Sequence, residues 1–230
     1  MKVKSKSEKS QKQPLAVAAY EAIVRRIICL DYQPSQHLEE TQLMEDLGIG
    51  RTPIREALVR LQGEKMVESH PNKGVIVRPI TLQNTKAMFE SMGVFEAGVV
   101  DIAVTKNCST AIQRMKEDNK AIEKTVMAGD LIGMVEANHQ FHMALARASQ
   151  NEFLIRAVHD VRSEAKRLSY LSYNTVLGND QSLENHYDSV IKEHEHIISC
   201  LEAKDASGLK KLLKHHLETF RKRIVEFMVS

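Results

Sequence analysis

Histidine side chains recur in three places in the second half of the chain, and neutral imidazole is a common ligand of transition metals. Asn138 and His142 lie four residues apart, which on a helix places both side chains on one face, and His194 and His216 follow on later segments. If these segments pack as antiparallel helices, the three rings can close around one ion. The spacing therefore indicates a site for one divalent transition metal, zinc or nickel, with the Asn138 amide as a further ligand or the holder of a water.

A histidine taken alone is more often an ordinary surface or partly buried residue, and this simpler interpretation stays open. Three other histidines lie off these helix faces and are expected at the surface or behind the site: His139, His196 and His215. Three imidazoles with open coordination positions could also activate water, so a metal-dependent hydrolase is an alternative function. No carboxylate near the histidines in sequence is an obvious general base, which disfavours an enzyme.

The stretch from Gly50 to Leu61 combines positive charge with the start of a helix. Its apolar residues recur at the spacing of one buried helix face: Ile54, Ala57, Leu58 and Leu61. Thr52 is the expected N-cap and Pro53 the first helical residue, so Arg51, Thr52 and Arg55 surround an exposed helix N-terminus. Because such a terminus attracts phosphate and an arginine can pair with guanine, the pattern predicts a DNA recognition helix. An amphipathic surface helix with two arginines is the alternative.

The preceding residues predict the element that positions this helix. Residues 38–49 have the pattern of a short helix closed by Gly48, and only a tight turn separates them from Thr52. A helix, a turn and a second helix with a basic tip form a helix-turn-helix.

The residues after the recognition helix predict a β-hairpin. Residues 66–69 and 75–78 have the pattern of two short strands around a turn-rich connection. Such a hairpin is a wing, which would place Asn72, Lys73 and the Gly74 backbone near the sugar-phosphate chain of DNA.

Residues 14–79 resemble the winged-helix domain of GntR-type bacterial transcription regulators. The family pattern Arg-Ser/Thr-Pro-Val/Ile-Arg-Glu-Ala-Leu-x-x-Leu is matched by residues 51–61. The resemblance implies that the DNA contacts come from Arg51, Thr52 and Arg55 and that the wing tip consists of Asn72, Lys73 and Gly74. Some relatives carry an arginine in the preceding helix, where this chain has Thr41.

The composition and the positions of helix-breaking residues predict a second, all-helical domain over residues 80–230. The chain has 230 residues, 43% of them hydrophobic, and a net charge of +2. No proline follows Thr81, and six long periodic segments cover about 81–107, 109–129, 130–149, 151–175, 183–203 and 205–228. The lysine-rich residues 1–13 are expected to be a disordered basic arm, which either adds phosphate contacts or only aids solubility. No apolar run could cross a bilayer, so we expect a cytoplasmic protein without a membrane partner.

The second domain resembles the FCD-type effector domain of one GntR branch. The family signature Asp-x-x-Phe-His, then Glu-His-x-x-Ile, then His-Leu is matched by residues 138–142, 193–197 and 216–217. The resemblance implies that His142, His194 and His216 are metal ligands. Asn138 replaces the aspartate of the family, so the site has one negative charge fewer.

The resemblance also implies a small-molecule effector, an organic acid, beside the metal. The family usually carries Glu-x-Arg in the first helix of this domain, and its arginine suits a carboxylate. Met92 stands at that position here. Another cation, Arg147, Arg156 or Arg162, then takes its place, or the effector is less anionic.

The sequence thus predicts a mainly α protein, with a winged helix-turn-helix followed by an antiparallel helical bundle. Its predicted function is that of an effector-responsive transcription regulator, a repressor, and not an enzyme. It would bind a short inverted-repeat operator in double-stranded DNA as a homodimer, because two-fold operators bind two recognition helices. An architectural DNA-binding protein without an effector is disfavoured by the size of the second domain.

Overall fold

The computed structural model of the chain describes residues 14–71, 74–174 and 180–229. The predicted basic arm and the wing-tip residues Asn72 and Lys73 lie outside the described residues. The chain forms two compact units, the first made of residues up to 27 and residues 32–78, and the second mainly of residues from Pro79 onward. Among the described helices, none has both the length and the apolar character needed to cross a membrane.

The described part of the first unit contains three helices and a small antiparallel sheet. Its elements in chain order are α1 (Leu15–Ile28), β1 (His37–Leu38), α2 (Glu40–Leu47), α3 (Arg51–Gly63), β2 (Val67–His70) and β3 (Gly74–Val77). The strand order is β1-β3-β2, and β3 pairs with β2 from Val67 opposite Val77 to His70 opposite Gly74. The predicted helix-turn-helix and hairpin are therefore confirmed.

The core of this unit forms where apolar faces of the helices meet the sheet. Ile54, Ala57, Leu58 and Leu61, the predicted buried face of α3, all lie in this core. Ile23 and Ile27 of α1 and Leu43 of α2 pack into the same cluster. Burial of this face leaves the N-terminal residues of α3 at the surface, which is the arrangement that a recognition helix requires.

Two details of the helix-turn-helix differ from the prediction. Leu38 belongs to β1, where it pairs with Val75, so α2 begins only at Glu40. Helix α3 begins at Arg51 with extended Gly50 as its N-cap, and no side chain caps it, so the prediction of Thr52 as the N-cap is wrong. Pro53 therefore lies inside the first turn of α3 rather than at its first position. It is tolerated there because the N–H groups of the first turn have no acceptor within the helix, so a residue without an N–H loses no hydrogen bond.

Within its described residues the second unit forms six helices, as predicted. They are α4 (Leu82–Ala103), α5 (Ser109–Met127), α6 (Leu131–Ala148), α7 (Glu152–Asn174), α8 (Asp180–Glu202) and α9 (Ala206–Val229). Helix α4 packs on α7 and α9, α5 packs on α6 and α8, and α8 packs on α9. This arrangement brings α6, α8 and α9, which carry the three histidines, into one bundle.

Sequence-local caps fix the starts of two of these helices. Thr81 Oγ1 accepts a hydrogen bond from the Asn84 N–H at 3.1 Å, and Asp130 Oδ1 accepts one from the Gly133 N–H at 3.0 Å. A Cβ atom at position 133 would lie 2.2 Å from Asp130 Oδ2, so a larger residue there would force the Asp130 side chain to shift. The cap sets where α6 begins, and so fixes the position of His142 along the bundle.

Candidate metal centre and nucleic-acid interface

Three imidazole rings converge in the second unit. His142 of α6, His194 of α8 and His216 of α9 each offer a nitrogen, and these atoms lie within 4.8 Å of one another. His194 and His142 are almost fully buried, with 0% and 2% of their surface exposed, and His216 is half-buried. The Phe141 ring stacks on His194 at 3.8 Å and holds its plane. The structure therefore brings together the three histidines that the sequence proposes as ligands.

The orientation of His194 leaves one nitrogen directed into the cluster. Its Nδ1 lies 3.1 Å from Asn119 Oδ1. The Asn119 amide nitrogen donates to the Ile191 carbonyl at 3.2 Å, so the Asn119 oxygen must be the atom that accepts from the ring. The proton is thereby assigned to Nδ1, and Nε2 is a buried acceptor without a hydrogen bond.

His216 is oriented in a similar way by a carboxylate. Its Nδ1 donates to Glu193 Oε2 at 2.6 Å, and Glu193 also accepts from the Ser189 hydroxyl at 3.3 Å. Although burial alone raises the pKa of Glu193, the hydrogen bond from His216 lowers it below its usual value, and the group stays charged. A carboxylate that accepts a hydrogen bond from an imidazole fixes the tautomer of the ring and raises the basicity of its other nitrogen. This arrangement suits a metal ligand.

His142 has the least satisfied environment of the three. Neither ring nitrogen has a hydrogen bond, and Nδ1 lies 3.9 Å from Glu96 Oε1. Burial lowers the pKa of His142 and of His194 well below the usual histidine value, and the neighbouring cations and imidazoles act in the same direction. Both rings are therefore neutral near pH 7, as metal binding requires.

Whether a metal fits the site can be judged from these nitrogens without hydrogen bonds. Leaving a buried polar atom without a partner costs about 1–3 kcal/mol, and a divalent ion would satisfy all three rings at once. Metal–nitrogen bonds are about 2.1 Å long, so two ligands of one ion cannot be more than roughly 4.2 Å apart. The three nitrogens lie within 4.8 Å of one another, so the rings would have to close by no more than several tenths of an ångström to reach that limit.

Asn138 lies beside this cluster rather than on an unrelated face. Its Oδ1 is buried without a hydrogen bond, and the residue lines a narrow cavity together with His216 and Arg162. The cavity has a volume of about 20 Å³. An unpaired amide oxygen at this position can bind a metal directly or hold a water beside it.

The four predicted effector residues occupy different environments. Arg162 is buried, pairs with Glu96 and lines the cavity. Met92 is fully buried and packs in the apolar core between α4, α7 and α9, whereas Arg147 and Arg156 are exposed. The structure thus brings only Arg162 of this set to the cavity.

Sequence reasoning missed two charged groups at this site, Glu96 and Arg223. Glu96 forms the buried ion pair with Arg162, and Arg223 lines the cavity from α9. The position of Arg223 follows from the spacing, because it lies seven residues after His216 and therefore on the same helix face. Of the remaining histidines, His139 is buried and packs edge-on to His159 at 5.9 Å, whereas His196 and His215 are exposed.

The predicted DNA-contacting residues surround the N-terminus of α3. Arg51, Thr52 and Arg55 are all exposed, and both arginines face Glu40 at the start of α2. The Arg55 Nε donates to the two oxygens of Glu40 at 2.8 and 2.9 Å. These hydrogen bonds lower the pKa of Glu40, so the carboxylate stays charged. Gly74, at the start of β3, has a φ of 72°, a backbone conformation that favours glycine at the end of the wing loop.

Replacing Glu40 with glutamine releases both arginines from their carboxylate. We expect binding to random-sequence DNA to strengthen about three- to ten-fold and its salt dependence to steepen, because the chain gains one net positive charge. Discrimination between operator and random DNA should fall, since Arg55 is no longer held in one orientation. Fluorescence anisotropy at several salt concentrations measures both effects. Glu45→Gln, an exposed change on the same helix, is the control, and an equal effect of that variant would contradict the role of Glu40.

The neutral buried imidazoles also predict an acid-sensitive metal-free protein. His142 and His194 have lowered pKa values in the folded state, so the unfolded chain binds protons more readily than the folded one. Stability is therefore retained above pH 6.5 and lost as the pH falls below that value, by up to about 1.4 kcal/mol per pH unit for each ring. Thermal melts in chelator between pH 7.5 and 5.5 should show this fall. A His142→Phe variant should show a smaller loss of stability with falling pH, whereas His196→Gln should behave like wild type. An unchanged pH dependence in His142→Phe would contradict the conclusion that His142 is buried as a neutral ring.

Comparison with known proteins is consistent with this geometry. Residues 15–77 match the family described as bacterial regulatory proteins, gntR family, and residues 87–219 match the FCD domain. The chain is 26% identical to the Uxu operon regulator of Haemophilus influenzae, over 81% of this chain and 73% of that protein. It is 21% identical to the HTH-type transcriptional repressor RspR of Escherichia coli, over 90% of this chain and 87% of that protein. The solved structure of McbR/YncC from E. coli superposes with a TM-score of 0.75, at 18% identity over 93% of this chain and 98% of that one, which shows a shared fold.

Proposed function

The chain belongs to the GntR family of bacterial regulatory proteins, in the branch that carries an FCD domain, and from this premise we propose a repressor switched by a small acid beside a metal centre. That the chain is a transcription regulator and not an enzyme is shown by its relatives, which are regulators of transcription. The alternative of a metal-dependent hydrolase is therefore set aside. Glu96, the carboxylate nearest His142, is also engaged by Arg162 and is not a free base.

One observation supports the proposal most directly: a single chain combines an exposed basic helix tip with a cluster of three histidines in which both nitrogens of His142 and Nε2 of His194 are buried without hydrogen bonds. The first feature suits an operator and the second suits a metal. Zinc or nickel would be held by His142, His194 and His216, with Asn138 as a fourth ligand or the holder of a water. The bound ion would supply a Lewis-acidic position for an oxygen of the effector.

The size of the cavity supports a switching mechanism. A space of about 20 Å³ holds roughly one water molecule, so a metabolite can enter only if the surrounding helices separate. An effector that binds only the wider arrangement shifts the population toward it. In this proposal the shift alters the spacing of two recognition helices in a dimer, and so the affinity for the operator.

Dimerisation is part of the proposal because an inverted-repeat operator needs two recognition helices. Exposed apolar side chains on α4 and α9 support a contact with a second copy of this chain: Leu82, Val94 and Val225. Since the operator is chromosomal DNA, the proposal also places the protein in the cytoplasm.

A selection from random duplexes, followed by sedimentation of the complex, tests this function. We expect an inverted repeat whose half-site centres lie about one helical turn apart or less, bound by two protomers. Recovery of no preferred sequence, or a monomer at micromolar concentration with and without DNA, would contradict the proposal. Loss or gain of operator affinity on adding a small acid to the zinc-loaded protein tests the effector separately.

A further inference from the structure

Arg223 lies on the wall of the same cavity as Asn138 and His216, one of the three clustered histidines. It follows His216 by seven residues on α9, and the cavity is lined by His216, Thr219, Phe220 and Arg223 from this helix. Seven residues span about 10 Å along a helix axis, and long side chains lean toward the helix N-terminus. The Arg223 side chain therefore extends in the direction of His216.

The charge of Arg223 is not cancelled by a carboxylate within the described part of the chain. Its Nη2 donates to the Ser172 carbonyl at 2.5 Å, and its guanidinium lies 5.5 Å from the centre of the Tyr173 ring. Both partners are neutral. Glu226, exposed on the next turn of α9, acts on Arg223 only at longer range and forms no ion pair with it.

Arg162, on the facing helix α7, is in the opposite situation. It is 6% exposed and pairs directly with Glu96, which is equally buried. The two charges cancel, and breaking a buried pair is costly because it leaves one charge without a partner. Arg162 thus stays with Glu96, and Arg223 is the cavity cation available to a ligand.

Polar atoms without partners lie beside Arg223. Ser172 is 5% exposed and its hydroxyl has no hydrogen bond, and the Asn138 amide oxygen is likewise unpaired. Both residues line the cavity. A carboxylate that accepts from the guanidinium could also accept from the Ser172 hydroxyl, which would satisfy a buried group that is otherwise unpaired.

The charges around the cavity set the charge of the ligand. With a divalent ion on the histidines, the negative charge of Glu193 leaves one net positive charge at the end of the cavity where the metal would lie. The Asn138 amide adds no charge there. The Arg162–Glu96 pair is neutral as a whole. Arg223 adds a second positive charge at the other end. A closed site of this kind is best neutralised by two negative charges.

We propose that Arg223 binds a carboxylate of the effector, and that the effector is an acid with two anionic groups, one at the metal and one at Arg223. This inference rests on the proposed metal-centred function. Arg223 therefore takes the role that the sequence comparison assigns to an arginine at the position of Met92.

Calorimetric titration of the zinc-loaded protein with simple acids tests the inference. The probes are a dicarboxylate series from malonate to adipate, with butyrate as the monoanionic counterpart. We expect at least one dicarboxylate to bind about ten-fold or more tightly than butyrate. Arg223→Gln should abolish this preference and leave butyrate binding unchanged, whereas Arg223→Lys should retain part of it. Lys222→Gln, an exposed neighbour with the same change in charge, is the control and should behave like wild type.

Zinc content and melting temperature, measured for every variant, separate the possible failures. A wild-type protein that holds no zinc overturns the metal centre and with it the two-ended ligand. A protein that holds zinc but shows no preference for a dicarboxylate, or an Arg223→Gln variant that keeps the preference, overturns the role of Arg223 alone. If Arg223→Gln does not fold, the Arg223→Lys variant is the test. Dicarboxylate binding by Arg223→Lys with the affinity and the preference of the wild type would contradict a guanidinium–carboxylate contact.

Discussion

The Arg55→Ala protein is expected to lose specific operator binding, with affinity reduced at least about a hundred-fold and no change in melting temperature. Arg55 projects from the second turn of α3, where it is exposed and pairs with the Glu40 carboxylate. An arginine that reads guanine contributes strongly to discrimination, and a dimer loses the contact twice. The buried residues of α3 are untouched, so the fold should be retained.

Arg156→Ala is the matched control, since it removes an exposed arginine with the same change in charge from the second unit. Mobility-shift titrations with the selected operator and with random DNA compare the two variants. Wild-type operator affinity in Arg55→Ala would show that α3 is not the recognition helix. An equal loss in both variants would mean that net charge alone governs binding.

The second large effect is expected at the proposed metal ligands. Zinc at a thousand-fold excess over its dissociation constant stabilises the folded state by about 4 kcal/mol, which for a unit of this size raises the melting temperature by roughly 10 °C. His194→Ala should abolish this increase, because the variant loses a proposed ligand whose ring is held by Asn119 and Phe141. It should also hold less than one zinc per two chains.

His196→Ala is the control for this experiment, since the ring lies two residues away on an exposed face of the same helix. It should keep both the zinc content and the zinc-dependent increase in melting temperature. Because His194 is fully buried, its loss also destabilises the metal-free protein, and the increase on adding zinc is the informative quantity rather than the absolute melting temperature. An undiminished increase in His194→Ala would contradict its role as a ligand.

The helices of the second unit could be predicted because local chemistry determines where they begin and end, whereas the starts of α2 and α3 differ from the prediction. Residues after Pro79 contain no proline, and breaks near Gly129 and Asp205 separate long periodic segments. The two-residue strand β1 could not be predicted in this way, because it exists only through its pairing with β3, more than thirty residues later in the chain. Strands this short have no periodicity of their own.

The same distinction applies to the candidate site. The convergence of His142, His194 and His216 follows from motif spacing and helix packing. The pairing of Glu96 with Arg162 joins residues 66 positions apart, and nothing local indicates that one arginine is neutralised and another is not. Which cation faces a ligand is therefore a property of tertiary structure.

Anomalous X-ray scattering locates a transition metal directly in crystals of protein purified without affinity tag or chelator. We expect one strong peak per chain within bonding distance of His142, His194 and His216, present above the zinc or nickel absorption edge and weak below it. A refined structure in which those three rings surround no anomalous peak, even after soaking with zinc and nickel, would contradict a metal-centred sensor.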